Sequence, residues 1–316
     1  MSNESVTGQD KKLKIAVTGA SGFVGGNVVR LLRDQGHEVV LISRRDGIDI
    51  RSLLDLENAF AGLDGVVHCA GINREIGEQT YKNVHIEGTK FVVHAAKKNG
   101  LKKIIFMSFL RARPDCSSGY HESKFAAEEI VSKSNIDYTI IKAGVIYGQG
   151  DHMLKHLSQA FYTFPVFAMV GFKKQKVRPL AVEDVAKLIV ASFNDPVQTN
   201  KRVPVTGPDE MTLDNAIKRV SKVVGKKPVF IPLPVWFHYL FSLILERIMK
   251  EPLVAKAQVK ILAEGLTEPA GIWNTLPEAY LPNTYFTDEQ IRSSLPPGGP
   301  FTLQDLKLPW TSSIDR

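Results

Sequence analysis

The feature that most constrains this chain is a glycine-rich segment between an apolar strand and a helix. Residues 13–18 (LKIAVT) form a short apolar run typical of a buried strand, and residues 24–35 carry valine and leucine at helical spacing. Between them, TGASGFVG at 18–25 has the spacing G-x-x-G-x-x-G. Glycines there allow a tight turn, and the N–H groups and dipole of the following helix attract a pyrophosphate. A turn that only packs helix on strand would have similar glycines, but this position favours dinucleotide binding.

Strands and helices alternate over the first two thirds of the chain. We predict strands at 13–18, 37–42, 65–69, 103–107, 138–141 and 202–206, and helices at 24–35, 80–98, 120–134 and 183–193. This alternation implies parallel pairing and right-handed crossovers, hence an α/β fold with a doubly wound parallel sheet, the Rossmann fold. We predict an NAD(P)-binding domain over 12–207, with 151–177 on its substrate side. Proline and aromatic residues increase after 207, so 208–316 is predicted to be a smaller C-terminal substrate or partner domain.

Composition narrows the class of protein. The net charge of +7 over 316 residues suits an anionic ligand, but no long Lys/Arg block predicts a nucleic-acid partner. The two cysteines, Cys69 and Cys116, give neither a disulfide framework nor zinc spacing, so we expect a reducing, cytoplasmic location. Residues 1–9 lack the pattern of a signal or transit peptide. No apolar run reaches the roughly 18 residues of a membrane-spanning helix.

The end of the second strand bears on the choice of dinucleotide. An acid at this position binds the adenosine ribose hydroxyls of NAD, but here the sequence is Ser43-Arg44-Arg45. Two guanidinium groups can bind a 2′-phosphate, although two solvated loop arginines would have the same sequence. We therefore predict NADP rather than NAD. Asp49-Ile50 follows at a position where a carboxylate can accept a hydrogen bond from the adenine amino group. The small residues Ala70 and Gly71 would let the ribose lie close to the backbone.

A Tyr-x-x-x-Lys pair opens a later predicted helix. Tyr120 and Lys124 are four residues apart and therefore on one helix face. A phenol has a pKa of about 10, which a nearby ammonium would lower. Tyr120 would then exchange a proton with the substrate oxygen, while Lys124 could donate to the nicotinamide ribose. A surface Tyr/Lys pair arises often by chance, but here it follows the strand order and glycine turn described above.

These motifs resemble the extended short-chain dehydrogenase/reductase superfamily (NAD-dependent epimerase/dehydratase-like) from Lys14 to about Gly207. The segments concerned are TGASGFVG, HCAG, YHESK, IIKAGVIYG and RPLAVEDVA. FMSFLRA and VTGPDEMTL make it most similar to the divergent group that includes the NAD(P)H-binding accessory subunit of respiratory complex I and its bacterial relatives. With the arguments above, the resemblance implies cofactor contacts at Gly19, Ser21, Gly22, Phe23, Val24, Gly25, Ser43, Arg44, Arg45, Asp49, Ile50, Ala70, Gly71, Lys124, Ala143 and Val145.

The sequence departs from the family pattern at three points. The catalytic Ser or Thr of the family would fall near Leu110, which has no hydroxyl, so we name Ser108 as the catalytic candidate, with Ser117 or Ser118 as substitutes. The Asn of the N-x-x-G-T pattern is His85. The proline usual near the nicotinamide is Ala143. These departures bear on turnover more than on cofactor binding.

Two aromatic-rich stretches lie on the predicted substrate side. Residues 161–172 (FYTFPVFAMVGF) and 234–249 are apolar and are followed by lysines. They either build the core of the smaller domain or form a surface for a lipid-like substrate, with peripheral membrane contact as a further option. His152 and His156 are one helical turn apart beside Asp151, but without a further ligand we predict no metal site.

Three functions remain open at this stage. The first is an NADP-dependent oxidoreductase acting on a hydrophobic carbonyl or alcohol. The second is a nucleotide-sugar epimerase or dehydratase, which Arg178 favours because an arginine there can hold a diphosphate. The third is a non-catalytic NADP-binding assembly or sensor protein, which the missing hydroxyl at Leu110 favours. The sequence names neither the substrate nor the oligomeric state.

Overall fold

The computed structural model describes residues 12–250, 252–254, 256–264 and 266–307. Its strands are β1 (Lys14–Thr18), β2 (Glu38–Ile42), β3 (Gly65–His68), β4 (Lys103–Phe109), β5 (Asp137–Ala143), β6 (Ile146–Tyr147), β7 (Val166–Val170), β8 (Lys176–Val177), β9 (Leu180–Ala181), β10 (Lys201–Val205), β11 (Met211–Thr212) and β12 (Val229–Leu233). Its α-helices are α1 (Phe23–Asp34), α2 (Leu53–Ala59), α3 (Gly88–Lys98), α4 (Gly119–Ser132), α5 (His152–Thr163), α6 (Val182–Asn194), α7 (Leu213–Val224), α8 (Val235–Ile248), α9 (Lys256–Glu264) and α10 (Asp288–Ser294).

The central element is a six-stranded parallel sheet in the order β10-β5-β4-β3-β1-β2. Successive side chains of a strand point to opposite faces. Ile15 and Val17 accordingly pack with α1 and α6, whereas Ala16 packs with α2, α3 and α4. Helices therefore cover both faces, and the predicted doubly wound α/β fold is confirmed.

The helix predicted over 80–98 begins differently from the prediction. Residues Lys82–Glu87 form a π-helix that continues into α3. A π turn adds a residue per turn and often marks a functional site. Here it accompanies the insertion of the buried His85 side chain between the loop after β3 and α4.

The C-terminal part pairs with the segment that follows β6. Strand β11 is antiparallel to β8, and β12 is parallel to β7. A third apolar cluster joins Leu154 and Phe161 of α5 to Ala216 of α7 and Ile291 of α10. Strands from 151–177 and from beyond 208 thus share two small sheets, while the domain boundary at 207 stays a prediction.

The glycine-rich turn depends on unusually close backbone approach. Gly19 has a φ of +69°, and its N–H donates to the Ile42 carbonyl at 2.8 Å. A Cβ on Gly25 would lie 2.2 Å from the Gly19 carbonyl oxygen, which leaves no space for a side chain. A Cβ on the next residue, Gly26, would lie 3.5 Å from the Ala20 oxygen, an ordinary contact. The turn therefore requires glycine at 25 but not at 26.

We expect Gly25→Ala to lower the free energy of unfolding by about 1–3 kcal/mol, the usual cost of overpacking, and to weaken dinucleotide binding. Gly26→Ala is the matched control and should be neutral or stabilising by up to about 1 kcal/mol, because alanine favours helix more than glycine. Urea denaturation and cofactor titration measure both effects. Equal stability and affinity of the two variants would contradict the packing argument.

Candidate active site

The N-terminus of α1 faces the turn with its first N–H groups uncapped by any side chain of the described residues. Gly22 donates its N–H to the Gly19 carbonyl at 2.9 Å, which closes the turn, and Ser21 and Gly22 are exposed. Phe23 and Val24 occupy the first helical turn and are partly exposed. Accessible backbone donors at the positive end of a helix are what a pyrophosphate requires. The residues present therefore fit the diphosphate of a dinucleotide.

The loop after β2 presents two cations and one acid. Arg44 and Arg45 are exposed, and neither guanidinium pairs with a carboxylate among the described residues. Ser43 is buried, and its hydroxyl donates to the Asp46 carboxylate while accepting the Asp46 N–H at 3.3 Å. The first acid after β2 is thus held beside the arginines, which the sequence argument did not foresee.

Asp49 is bound to a neighbouring arginine. Its carboxylate accepts hydrogen bonds from Arg51 at 3.1 and 2.7 Å, and these bonds lower the pKa of Asp49. Ile50 is buried, and a Cβ on Gly88 would lie 2.7 Å from it. The carboxylate predicted to accept from adenine is therefore engaged with Arg51, and its role in cofactor binding stays a prediction.

A buried histidine closes the end of β3. Thr89 donates its hydroxyl proton to the His85 carbonyl, so its oxygen accepts from His68 Nε2 at 3.0 Å. His68 Nδ1 then accepts from the Thr18 hydroxyl at 2.6 Å, and that oxygen accepts the Ala70 N–H at 3.1 Å. Burial lowers the pKa of His68 to about 3, so the ring is neutral. This network fixes Ala70 beside Gly19, where a Cβ on Gly19 would meet it at 2.9 Å.

His85 joins the loop after β3 to α4. The Ile72 N–H donates to Nε2 at 3.0 Å, so the proton of the neutral ring is on Nδ1. Nδ1 donates to the Ser123 hydroxyl at 2.8 Å, and that hydroxyl donates to the Tyr120 carbonyl at 3.0 Å. Burial, first, and then Lys124 keep the pKa of His85 well below its usual value. His85, which stands where the family has asparagine, is therefore an uncharged side chain that connects the loop after β3 to the start of α4 at Tyr120.

Tyr120 lies among aromatic rings at the start of α4. Its ring contacts Tyr81, His85 and Phe109 edge-on, with centroids 5.5–5.9 Å apart. Among the described residues, no group hydrogen-bonds its hydroxyl. Burial, and then the neighbouring Tyr81, raise the pKa of Tyr120 above its usual value. The expectation that Lys124 lowers this pKa is not met, and the phenol stays protonated at neutral pH.

Lys124 is buried one turn further along α4. Its ammonium donates to the Met107 carbonyl at 3.0 Å and lies 5.3 Å from the centre of the Phe106 ring. A Cβ on Gly71 would come within 3.2 Å of it, so glycine at 71 allows the approach. Burial lowers the pKa of Lys124 to about 8, against the opposing influence of Cys69 and Glu128.

Ser108 belongs to a buried ionic network beneath the site. Its hydroxyl donates to Glu128, which also accepts from Lys142 at 2.8 Å. Burial raises the pKa of Glu128 and lowers that of Lys142, although their ion pair opposes both shifts. The Ser108 hydroxyl proton is therefore engaged in a hydrogen bond to Glu128. Leu110 is fully buried. A catalytic role for Ser108 stays a prediction that this bond does not favour.

The cavity beside Tyr120 has a volume of about 770 Å³. The residues that line it are Arg74, Glu75, Tyr81, Ser117, Ser118, Gly119, Tyr120, Val235, Trp236, Tyr239, Glu246, Lys256, Val259, Lys260, Ala263 and Glu264. Ser117 and Ser118 thus reach the same space as Tyr120, whereas Ser108 does not line it. Ser118 shares a hydrogen bond of 2.6 Å with His121, and Lys260 of α9 donates to the Ser117 carbonyl.

The remaining predicted residues lie at the ends of β5 and α5. The Ala143 carbonyl accepts the Leu110 N–H at 2.8 Å, and the Val145 carbonyl accepts that of Leu180 at 2.9 Å. Asp151 caps α5 by accepting from Met153 and Leu154, and the described residues contain no cluster of three metal-ligating side chains. Asp151 is therefore a helix cap, while Ala143 and Val145 hold the strand end where the resemblance implies the nicotinamide.

The structure brings most predicted residues to one edge of the sheet. The glycine turn, Ala70-Gly71, Lys124 and Ala143 all follow carboxyl ends of parallel strands or pack against them. Sequence reasoning missed Tyr81, at the start of the π-helix, and Lys260 of α9. It also missed Glu128, because nothing in the sequence of α4 marks one of two adjacent glutamates as part of a buried ionic network.

Residues 15–205 match the model of the NAD dependent epimerase/dehydratase family, which is more than half of the chain. The chain is 28% identical over 239 residues to the ceramide reductase of Caulobacter vibrioides, covering 71% of this chain and 75% of that protein. It is 27% identical over 252 residues to the mitochondrial NADH dehydrogenase [ubiquinone] 1 alpha subcomplex subunit 9 of Mus musculus, covering 72% of this chain and 66% of that subunit. The chain spans 24% of the length of three mycobacterial relatives.

Among solved structures, the UDP-glucose 4-epimerase of Thermus thermophilus in complex with NAD is similar, with a TM-score of 0.63 and 17% identity. The match covers 89% of this chain and 97% of that one. It supports the Rossmann fold over most of the chain.

The depressed pKa of Lys124 predicts pH-dependent cofactor binding. The charged ammonium is present below about pH 8 and is lost above it, so any hydrogen bond it donates to the cofactor weakens as the pH rises. We expect the dissociation constant of the dinucleotide to rise about tenfold between about pH 7 and pH 9, the effect of a charge-assisted bond. Lys124→Met should bind more weakly at pH 7 and show no such rise, whereas the exposed Lys97→Met should behave like the parent. Parallel profiles for all three proteins would contradict this assignment.

Proposed function

The chain belongs to the NAD dependent epimerase/dehydratase family, and on that premise we propose that it is an NADP-dependent oxidoreductase. Its substrate is a hydrophobic carbonyl compound or the corresponding alcohol. Tyr120 carries the proton, Lys124 holds the cofactor ribose, and a serine of the 117–118 loop binds the substrate oxygen. The observation that carries the proposal is that Tyr120 lines a large cavity while its hydroxyl has no partner among the described residues.

The protonation states favour the reductive direction. The bound nicotinamide would supply the hydride, and the protein must supply a proton to the carbonyl oxygen. A phenol is protonated near neutrality and can act as the donor, although burial, which raises the pKa of Tyr120, also makes it a weaker acid. The same shift makes the phenolate scarce, so removal of a proton from an alcohol would need a higher pH. We therefore infer that Tyr120 acts chiefly as a general acid.

The cavity wall supports a substrate with an apolar body. Val235, Trp236 and Tyr239 of α8 and Val259 of α9 contribute apolar surface to its lining. Arg74 and Lys260 contribute cationic side chains to the same lining, although both also donate to backbone carbonyls. The relative named ceramide reductase supports the same substrate class, since its name describes reduction of a lipid.

Two other functions also have some support. A nucleotide-sugar epimerase is favoured by the fold of the structural neighbour, but Arg178, which could hold a diphosphate, is paired with Glu210 at 3.1 Å. A non-catalytic NADP-binding role is favoured by the buried Leu110 and by the relative that is a subunit of NADH dehydrogenase. Tyr120 in the cavity lining supports an enzyme over the non-catalytic role, and the apolar residues of α8 and α9 in the same lining support a hydrophobic substrate over a nucleotide sugar.

We expect Tyr120→Phe to abolish reduction while leaving cofactor binding intact. The change removes the proton donor and keeps the ring, so turnover should fall about 100-fold or more, the usual contribution of a general acid. Oxidation of NADPH with long-chain ketones as substrates measures the rate, and fluorescence titration measures binding. Tyr285→Phe, which removes an exposed phenol outside the cavity lining, should keep full turnover. Undiminished turnover by Tyr120→Phe would exclude Tyr120 as the acid.

We also expect NADPH to bind about tenfold or more tightly than NADH, because exposed guanidinium groups at 44 and 45 can bind the 2′-phosphate. Arg44→Ala/Arg45→Ala should remove most of this preference by weakening NADPH binding alone. Arg33→Ala, an exposed arginine on α1, serves as the control and should preserve the preference. Equal affinities of the unmodified protein for both cofactors would reverse the assignment to NADP.

A further inference from the structure

Helix α8 exposes its apolar side chains and buries polar ones, the reverse of an ordinary surface helix. Its buried positions are His238, Ser242 and Leu245, one helical face on which two of three residues are polar. The His238 ring donates to the Met169 carbonyl at 3.0 Å, and this bond holds the helix against β7. The exposed positions form what we term the α8 apolar face: Val235, Trp236, Phe237, Tyr239, Leu240, Phe241, Leu243, Ile244 and Ile248. Folded surfaces seldom leave so many large apolar side chains in contiguous contact with water.

A neighbouring residue extends this face. A Cβ on Gly171 would lie 3.4 Å from Val235, so the chain after β7 passes the N-terminus of α8. Phe172 follows and is 71% exposed, the same range as Trp236 at 67%. The lysines at 173 and 174 come next and are exposed. Apolar and cationic side chains therefore adjoin at this end of the helix.

Charge is confined to the ends of the helix. Residues 235–245 contain no Asp, Glu, Lys or Arg. Lys173 and Lys174 lie near the N-terminal end, and Arg247 is exposed at the other end. Glu246 is partly buried and pairs with Lys256 at 3.5 Å, so its charge is compensated within the protein. An apolar band between cations, with tryptophan and tyrosine within it, is the pattern of helices that lie in a membrane interface.

We propose that the α8 apolar face docks on the surface of a bilayer that contains anionic phospholipid. A helix of 14 residues is about 21 Å long, shorter than the hydrocarbon core of about 30 Å. No helix among the described residues is long and apolar enough to cross a membrane. The helix therefore lies parallel to the membrane plane, with the apolar face in the acyl boundary and the cations among the headgroups.

A second copy of the chain fits the same face less well. If two α8 helices packed antiparallel, Lys173 and Lys174 of one would meet Arg247 of the other. If they packed parallel, each cation would meet its own counterpart. Both arrangements set like charges together at the rim of an apolar contact, whereas an anionic bilayer neutralises all of them.

Docking would place the mouth of the cavity at the membrane. Val235, Trp236 and Tyr239 belong to the α8 apolar face and also line the cavity that contains Tyr120. An acyl chain could therefore pass from the bilayer to Tyr120 along apolar side chains. This step rests on the function proposed above and identifies the substrate as a membrane lipid, whereas docking itself is independent of catalysis.

Vesicle flotation with the full chain tests the proposal. The vesicles are phosphatidylcholine alone or phosphatidylcholine with about a third phosphatidylglycerol. We expect binding to the anionic vesicles that decreases with salt, and weak binding to phosphatidylcholine alone. Leu240→Ser/Ile244→Ser changes two exposed residues that do not line the cavity and should lower the partition coefficient about tenfold or more. Lys173→Glu/Lys174→Glu should lower binding to the anionic vesicles only.

Leu54→Ser/Val197→Ser is the matched control, since these side chains are 66% and 51% exposed on other elements. It should bind as the parent does, and circular dichroism checks that each variant is folded. A folded parent that does not bind anionic vesicles at low salt would overturn the proposal, as would equal binding by Leu240→Ser/Ile244→Ser. A dimer that this variant converts to a monomer, with no vesicle binding, would assign the face to self-association instead. Reduction of a short, water-soluble ketone without vesicles reports on the proposed function separately.

Discussion

The close approach of three backbone segments at one edge of the sheet governs the rest of this structure. The Gly19 turn, the start of α1 and the end of β3 are so near that a Cβ at Gly19 or Gly25 would overlap backbone atoms. Only this spacing leaves the first N–H groups of α1 accessible and keeps Ala70 and Gly71 beside the turn. Because parallel strands all end at the same edge, Lys124 on the adjoining helix α4 is brought to the same place. The candidate cofactor site is therefore a consequence of backbone packing more than of any single side chain.

Two buried histidines near the site, His68 and His85, are hydrogen-bonded to neutral partners. His68 and His85 each accept one hydrogen bond and donate another, which fixes their tautomers and holds both rings uncharged. Burial first, and then repulsion by the nearby Lys124, lower the pKa of both histidines and keep the rings uncharged. Below them, Glu128 and Lys142 are fully buried and compensate each other. The Tyr120 phenol therefore lies above a layer of buried polar groups that bond one another.

The C-terminal part, together with the segment from β6 to β8 that packs against it, has a different organisation. Its core is the aromatic cluster around Tyr147, Phe161 and Phe286, and α8 contributes little to it. The polar inner face of α8 is anchored by His238, so its apolar side chains have no place in the interior. In our proposal this arrangement is selected because the helix meets a membrane and also borders the cavity.

The sequence by itself determined the fold and the framework of the site. Strand and helix periodicity gave the sheet, because alternation along the chain is a local property that parallel pairing then requires. The glycine spacing and the Tyr120/Lys124 spacing are also local, and so they were predictable. The tertiary structure alone decided which partner each group meets. Ser108 bonds Glu128, Asp49 bonds Arg51, and the environment of Tyr120 raises its pKa instead of lowering it. It also decided that the apolar side chains of α8 other than Leu245 are exposed. An apolar stretch has the same sequence pattern in a core and on a surface, and only packing against the rest of the chain distinguishes the two.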